Sequence, residues 1–281
     1  MNAPAVELYR THGINLAKEP LEIAVCAQHN NGGLAANLWW ESENISHLFP
    51  VGEVNGSHGV IRPGGSALNA GQVGAFRAAE YIASQYAEPD SSFDAAFFAS
   101  AEENERLLLR QLGRAPLYDW KKEREIMQAR MSKYGAFLRD EDSLKKAIRE
   151  TFAQIGNLLT DGMASESPVE LSERIRTYTL IFTAAVYLSA MLVQVEDGVG
   201  SRGGSVVLSA NGHPVHPKLP FKIENEDQSF RGLVQEITAA PDGTTQIGWV
   251  SCRPIPETDG WFETVWKACR EKKIYDTKPG D

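Results

Sequence analysis

At 281 residues with 42% hydrophobic content, the chain can bury one large core or two modest ones. Its net charge of -9, with basic residues scattered or interleaved with acids as in Lys121-Lys122-Glu123-Arg124, argues against nucleic acid as a partner. The three cysteines, Cys26, Cys252 and Cys269, are far apart and lack Cys-x-x-Cys spacing, so reduced thiols and a cytoplasmic location are expected, not a disulfide framework or a zinc site.

Met1 to Arg10 lack the apolar core of a signal peptide. Leu21 to Cys26 alternates and then turns apolar, as a strand entering a core does. Leu48 to Val51 is a second short apolar run, and it places Glu53 at the end of a strand. Seven glycines follow between Gly52 and Gly74, a density that implies tight turns and close backbone approach. Ser66 to about Tyr86 reads as a helix with Ser66 as N-cap. Ala67, Ala70, Gly71, Gly74, Ala75 and Ala78 line one side of it, a face that can lie against a sheet or a flat ligand with no side chain between.

Glu88 to Ser92 is rich in breakers, and long amphipathic helices follow it. Leu144, Ala147, Ile148, Thr151, Phe152, Ile155, Leu158 and Leu159 form one stripe at helical spacing. Trp120 to Tyr134 and Pro168 to Val195 supply two more helices, enough for a small bundle. Within the last, Thr179 to Val195 is the longest apolar run. It is short for a membrane span and is interrupted by Thr183, Tyr187, Ser189 and Gln194, so a buried helix is expected. After Gly198 the pattern turns to strands at Ser205 to Leu208, Leu233 to Thr238 and Gln246 to Val250, with a turn at Pro241-Asp242-Gly243-Thr244. A final helix carries Trp261, Phe262, Val265 and Trp266. The fold class is α+β.

Two clusters can carry chemistry. Gln28-His29-Asn30-Asn31-Gly32-Gly33 follows a strand, and Gly52-Glu53 leads to His58-Gly59-Val60-Ile61-Arg62-Pro63-Gly64-Gly65-Ser66-Ala67-Leu68. In the second, the order of acid, loop with His and Arg, and helix start makes an anion site: the amide groups and positive dipole end near Ser66 to Leu68 favour negative charge. Arg62 can grip a carboxylate with two parallel hydrogen bonds, and Glu53 can accept hydrogen bonds from hydroxyls. Gly198 to Gly203 fits Gly-x-Gly-x-x-Gly, but it follows a helix and precedes a strand, the reverse of a dinucleotide site, and reads as a loop. His213-Pro-Val-His216 reads as surface loop, and no metal site is expected. Trp39-Trp40 suits either a pocket wall or core packing.

The run from Leu48 to Leu68 resembles the second FAD motif of the fumarate reductase/succinate dehydrogenase flavoprotein family. That motif reads roughly Gly-Leu-Tyr-Ala-x-Gly-Glu, a gap, then His-Gly-Ala-Asn-Arg-Leu-Gly-x-Asn-Ser-Leu, and Ile61, Pro63 and Ala67 depart from it. The resemblance implies that Glu53 contacts FAD, that Ala67 and Leu68 at the helix start opened by Ser66 meet the flavin through backbone, that Arg62 binds the substrate carboxylate, and that His58 fills the motif's histidine. The first cluster resembles the family's His-Tyr-x-Met-Gly-Gly; counted back from Gly32-Gly33, Gln28 takes the histidine position, so either His29 or Gln28 assists the substrate. Glu196 to Gly204 resembles a Glu-Ser-Arg-Gly-x-His signature without its histidine.

What the resemblance implies for organisation is a C-terminal portion of an FAD-binding α/β domain over residues 1–90, a helical bundle domain over 91–200 and a C-terminal β-hairpin and helix region over 201–281. The family's amino-terminal strand–Gly-x-Gly-x-x-Gly–helix unit and its capping domain with the proton-donating arginine have no counterpart here. The implied activity is oxidation or reduction at a carbon–carbon bond next to a carboxylate. FAD would be shared with an amino-terminal half, in one chain or in other oxidoreductase subunits, and the substrate would be a small carboxylate. The alternative is a non-catalytic remnant or subunit-interaction module.

Overall fold

In the computed structural model, the residues described are 3–21, 32–56, 58, 62, 64–86, 95–112, 117–163, 167–239, 244–253 and 260–273. They divide into two compact units, one running through Tyr86 and one from Ala95 onward.

The first unit opens with helix α1 (Ala3–Thr11), which buries none of its residues. The strand expected over Leu21 to Cys26 lies, apart from Leu21, outside the described residues. Residues Leu48 to Val51 do not pair as a strand. Val51 is extended, but Gly52 takes φ +78°, a left-handed value glycine adopts at little cost, and the chain winds into a short 3-10 helix, Gly52–Asn55. Glu53 therefore sits on a helical turn, not at a strand end. Helix α2 (Ser66–Gln85) follows.

The described residues of the second unit begin with helix α3 (Ala95–Leu112), exposed over 95–106. Polar caps then set the starts of three helices. Asp119 accepts from the Lys121 amide at the head of α4 (Trp120–Tyr134). Beyond the two-residue strand β1 (Leu138–Arg139), Asp140 caps α5 (Glu141–Asp161) through the Ser143 amide. Ser167 caps α6 (Pro168–Glu196), with proline at the position that tolerates it best. The stripe read from the sequence is buried except at its end, where Leu159 is exposed: Leu144, Ala147, Ile155 and Leu158 of α5 join Met127 of α4 and Ile181, Ala184, Ala185 and Leu188 of α6. By length and hydropathy α6 could cross a membrane, yet here its apolar side fills this core.

After α6 the chain makes β2 (Val206–Pro214), parallel to β1 and antiparallel to β3 (Lys222–Ile223). A regular antiparallel hairpin joins β4 (Leu233–Ala239) to β5 (Thr245–Ser251), and helix α7 (Trp261–Arg270) closes the described chain. The turn expected at Pro241 to Gly243 lies outside the described residues. The Gly198 to Gly203 segment is a loop with three left-handed glycines, Gly198, Gly200 and Gly203. It lies so close to the 225–226 main chain that a Cβ on Gly200 would meet Asn225 O at 1.8 Å. Mixed helix and strand make the chain α+β.

Candidate functional site

The site is assembled in the first unit by backbone touching backbone. The Leu34 amide donates to Val54 O at 2.8 Å, and Asn55 Nδ2 donates to Leu34 O at 2.9 Å. A Cβ on Gly33 would sit 2.3 Å from Val54 O, and one on Gly56 would sit 2.5 Å from Gly33 N. No side chain fits at either place. The end of the first cluster, Gly32-Gly33, is thereby fixed against the turn that carries Glu53.

That turn in turn meets α2. A Cβ on Gly52 would lie 3.6 Å from Gly71 Cα, ordinary contact distance, so Glu53 stands beside the opening turns of the helix. The small-residue face of α2 is covered differently from expectation. Gly74 lies under the Trp40 indole, whose ring carbons would come within 2.8–3.1 Å of an added Cβ. At Gly74 it is a side chain, not a sheet or flat ligand, that lies against that face. Trp39 is 2% exposed and stacks on Tyr81 at 5.4 Å between centroids, with the Arg77 guanidinium 4.9 Å over its ring. Both tryptophans pack inward, which decides the choice in favour of core.

Asn37 shapes this corner. Its Oδ1 accepts from the Trp39 and Glu41 amides, at 2.8 and 3.2 Å. Glu41 then accepts from the His47 amide at 2.9 Å and from the Tyr86 hydroxyl. Burial, followed by that bond to Glu41, pushes the Tyr86 phenol up to about 12. The neighbouring Tyr81 is raised as well, by burial first and by the Glu41 charge second.

The helix start differs by one residue from expectation. Gly65, at φ +81°, is the N-cap and Ser66 is the first helical residue, because the left-handed cap conformation suits glycine and strains serine. The first helical hydrogen bond is Asn69 N–H to Gly65 O at 3.1 Å, so the amides of Ser66, Ala67 and Leu68 lie ahead of it. Gly64 and Gly65 are exposed, and a Cβ on either would meet nothing within 4 Å among the described residues. Ser66 Oγ is shielded from solvent and has no hydrogen-bond partner among the described residues. Ala67 is half-buried and Leu68 is exposed.

Of the other predicted site residues, Glu53 is exposed, Arg62 is half-buried and His58 is buried. Gln28 and His29 lie outside the described residues. The turn at Gly52 to Gly56, the Gly32-Gly33 segment and the start of α2 thus come together in one unit. Sequence reasoning missed the Gly33–Gly56 contact and the seat of Trp40 on Gly74; the paired glycines were the available signal. Among the described residues no group of three His, Cys, Asp or Glu side chains is placed to hold a metal, and His213 and His216 are exposed.

No protein-family model matches the chain. It is 32% identical over 185 residues to an uncharacterized FAD-dependent oxidoreductase of Methanocaldococcus jannaschii, a match that takes in 62% of this chain and 32% of that protein. It is 42% identical over 62 residues to one subunit of the CoM/CoB fumarate reductase of Methanothermobacter marburgensis, covering 22% of this chain and 11% of the relative. Among solved structures, the E. coli quinol fumarate reductase flavoprotein superposes with TM-score 0.70 at 22% identity, over 91% of this chain and 42% of its own. The Mycobacterium smegmatis Sdh1 complex gives 0.67 at 17% identity, over 98% and 44%. The fold is therefore that of part of a fumarate reductase/succinate dehydrogenase-type flavoprotein. The chain spans about a third of the M. jannaschii relative and less than half of these structural neighbours.

Proposed function

We propose that this chain is the C-terminal part of an FAD-dependent oxidoreductase of the fumarate reductase/succinate dehydrogenase type, acting on a carbon–carbon bond next to a carboxylate. It supplies one wall of the flavin and substrate site, and an FAD-binding half, in a longer chain or as a partner subunit, supplies the rest. The free thiols of Cys252 and Cys269 accord with a reducing, cytoplasmic setting.

One observation carries the reading: the α2 start is open, with bare glycines before it, amides ahead of the first helical bond, and the Glu53 turn held beside it at Gly52 and Gly71. These residues fit a flavin. A planar ring needs backbone without Cβ at its edge, which Gly65 provides, and the shielded Ser66 Oγ, without a partner among the described residues, can take one from a ligand. The bound flavin supplies hydride exchange with the substrate carbon.

This chain's residues do the remainder. The helix start favours negative charge on the cofactor edge. Glu53 accepts hydrogen bonds from cofactor hydroxyls, and the Ala67 and Leu68 amides face the ring edge. Arg62 holds the substrate carboxylate by a two-pronged hydrogen bond, fixing the reacting carbon in place. His29 or Gln28 donates to the substrate, and the proton donor comes from the complementary half.

Mixing the chain with a separately expressed FAD-domain half tests this. The expected product is a tight yellow complex that reduces a dye with a carboxylic acid as donor. A complex that holds no flavin contradicts the reading, and so does full flavin-dependent activity from this chain alone.

A further inference from the structure

The two segments that form the candidate site, residues 32–36 and 52–56, meet with little apolar packing between them. Leu34 and Val54, whose main chains touch at the join, are 51 and 52% exposed, so burial contributes little there. What holds the join is the close approach of Gly33 to Gly56 and two hydrogen bonds, from the Leu34 amide to Val54 O and from Asn55 Nδ2 to Leu34 O. Residues 54 and 55 thus engage both main-chain groups of Leu34, and Asn55 alone does so with a side chain. Asparagine in a turn ordinarily bonds its own neighbouring backbone. Asn55 instead reaches 21 residues back along the chain. Its own backbone is fixed, because it ends the 3-10 turn that carries Glu53, and Gly56 caps that turn at φ +73° with its amide on Glu53 O at 2.9 Å. A short side chain on a capped turn gives the bond little slack.

We propose that Asn55 is a positioning residue for the reaction. Through Leu34 O it sets the spacing between the Gly32-Gly33 end of the first cluster, which the functional reading gives to the substrate, and the Glu53 turn, which that reading gives to the flavin. The proposal deepens that reading and rests on it. Asn55 touches neither substrate nor cofactor; it acts through the segment it holds. Without its amide the turn keeps its glycine cap and α2 keeps its start, so flavin retention survives. The 32–34 segment, with little burial to restrain it, then drifts relative to the turn. A misplacement of about 1 Å at the reacting carbon slows the chemical step on the order of 100-fold. Binding of the substrate carboxylate, assigned to Arg62, does not pass through this bond.

Two variants separate the donor from its shape. Asn55→Ala removes the side-chain amide, and Asn55→Asp keeps its outline but sets a carboxylate oxygen against the Leu34 carbonyl. On the full chain alone, hydrogen exchange at the Leu34 amide should quicken about 2- to 12-fold in both variants, the worth of one lost hydrogen bond, with exchange in the α4–α6 bundle unchanged. In the complex with a separately expressed FAD-domain half, both variants should retain flavin by absorbance. Their kcat for dye reduction by a carboxylic acid should fall on the order of 10- to 100-fold, with KM near the wild-type value. Wild-type exchange and kcat in both variants overturn the positioning role and spare the functional reading. Faster exchange with wild-type kcat makes the bond structural alone and overturns the role too. So does wild-type behaviour of Asn55→Asp beside a damaged Asn55→Ala, which would mean that outline and not the donor counts. Flavin lost from the variants but held by wild type overturns the separation of positioning from cofactor binding. A wild-type complex without flavin contradicts the functional reading, and the role assigned to Asn55 falls with it.

Discussion

The two units are held together by different means. From Ala95 onward, three capped helices interlock through large apolar side chains, with Leu144, Ile181 and Leu188 fully buried. Their polar links are internal to the bundle: Arg130 donates to Gln154 Oε1 at 2.8 Å, and Gln154 Nε2 reaches the buried Glu123 at 2.6 Å. The unit through Tyr86 relies instead on glycine backbone against glycine backbone and on a plate of aromatic rings. The first arrangement yields a self-sufficient core. The second keeps main chain near a surface, as a site for a flat ligand requires, and leaves one side of its helix open.

Replacing core volume should therefore damage the bundle most. Leu188→Ala is expected to cost about 2–5 kcal/mol, measured by denaturant unfolding of the second unit, because a cavity opens between α5 and α6. A loss below about 1 kcal/mol would mean the site collapses freely, against the packing described.

In the first unit a single methyl should suffice. Gly33→Ala puts a Cβ against Val54 O and is expected to cost about 1–3 kcal/mol, seen as a lowered transition of that unit with the bundle unchanged. Full tolerance of alanine would show that the two clusters are not locked together.

The smallest effect concerns Tyr86. A phenol raised by folding contributes stability that is complete below its unfolded value near 10 and is lost as pH climbs through about 12. Spectrophotometric titration should find a late-ionising tyrosine, and Glu41→Gln should bring it earlier, though not to the ordinary value because burial is the larger cause. An unchanged titration in that variant would remove Glu41 from the account.

Side-chain periodicity made the bundle legible. The stripe from Leu144 to Leu159 and the caps at Asp119, Asp140 and Ser167 announce their helices because burial and capping act on residue identity. Helix α1 was not legible, since a helix that buries nothing leaves no stripe. At the site, the sequence order of acid, arginine and helix start could be read, but not the contacts that join its parts. Gly33 against Gly56, and Gly52 against Gly71, are backbone contacts between segments far apart in sequence, and glycine records only that room was needed. The expected strand ending at Glu53 failed because one left-handed glycine outweighs a short apolar run. Ser66 lost the cap to Gly65 for the same reason.

The central claim is that the α2 start faces the reduced flavin, and the flavin's two-electron midpoint potential in the reconstituted complex tests it most directly. Gly64 is exposed and an added Cβ would meet nothing within 4 Å among the described residues, so Gly64→Asp adds charge without crowding them, and Gly64→Asn is the uncharged control. A carboxylate a few ångströms from the ring should lower the potential on the order of 30–60 mV in the aspartate variant and leave it unmoved in the asparagine one. Equal potentials in wild type, Gly64→Asp and Gly64→Asn would contradict the account.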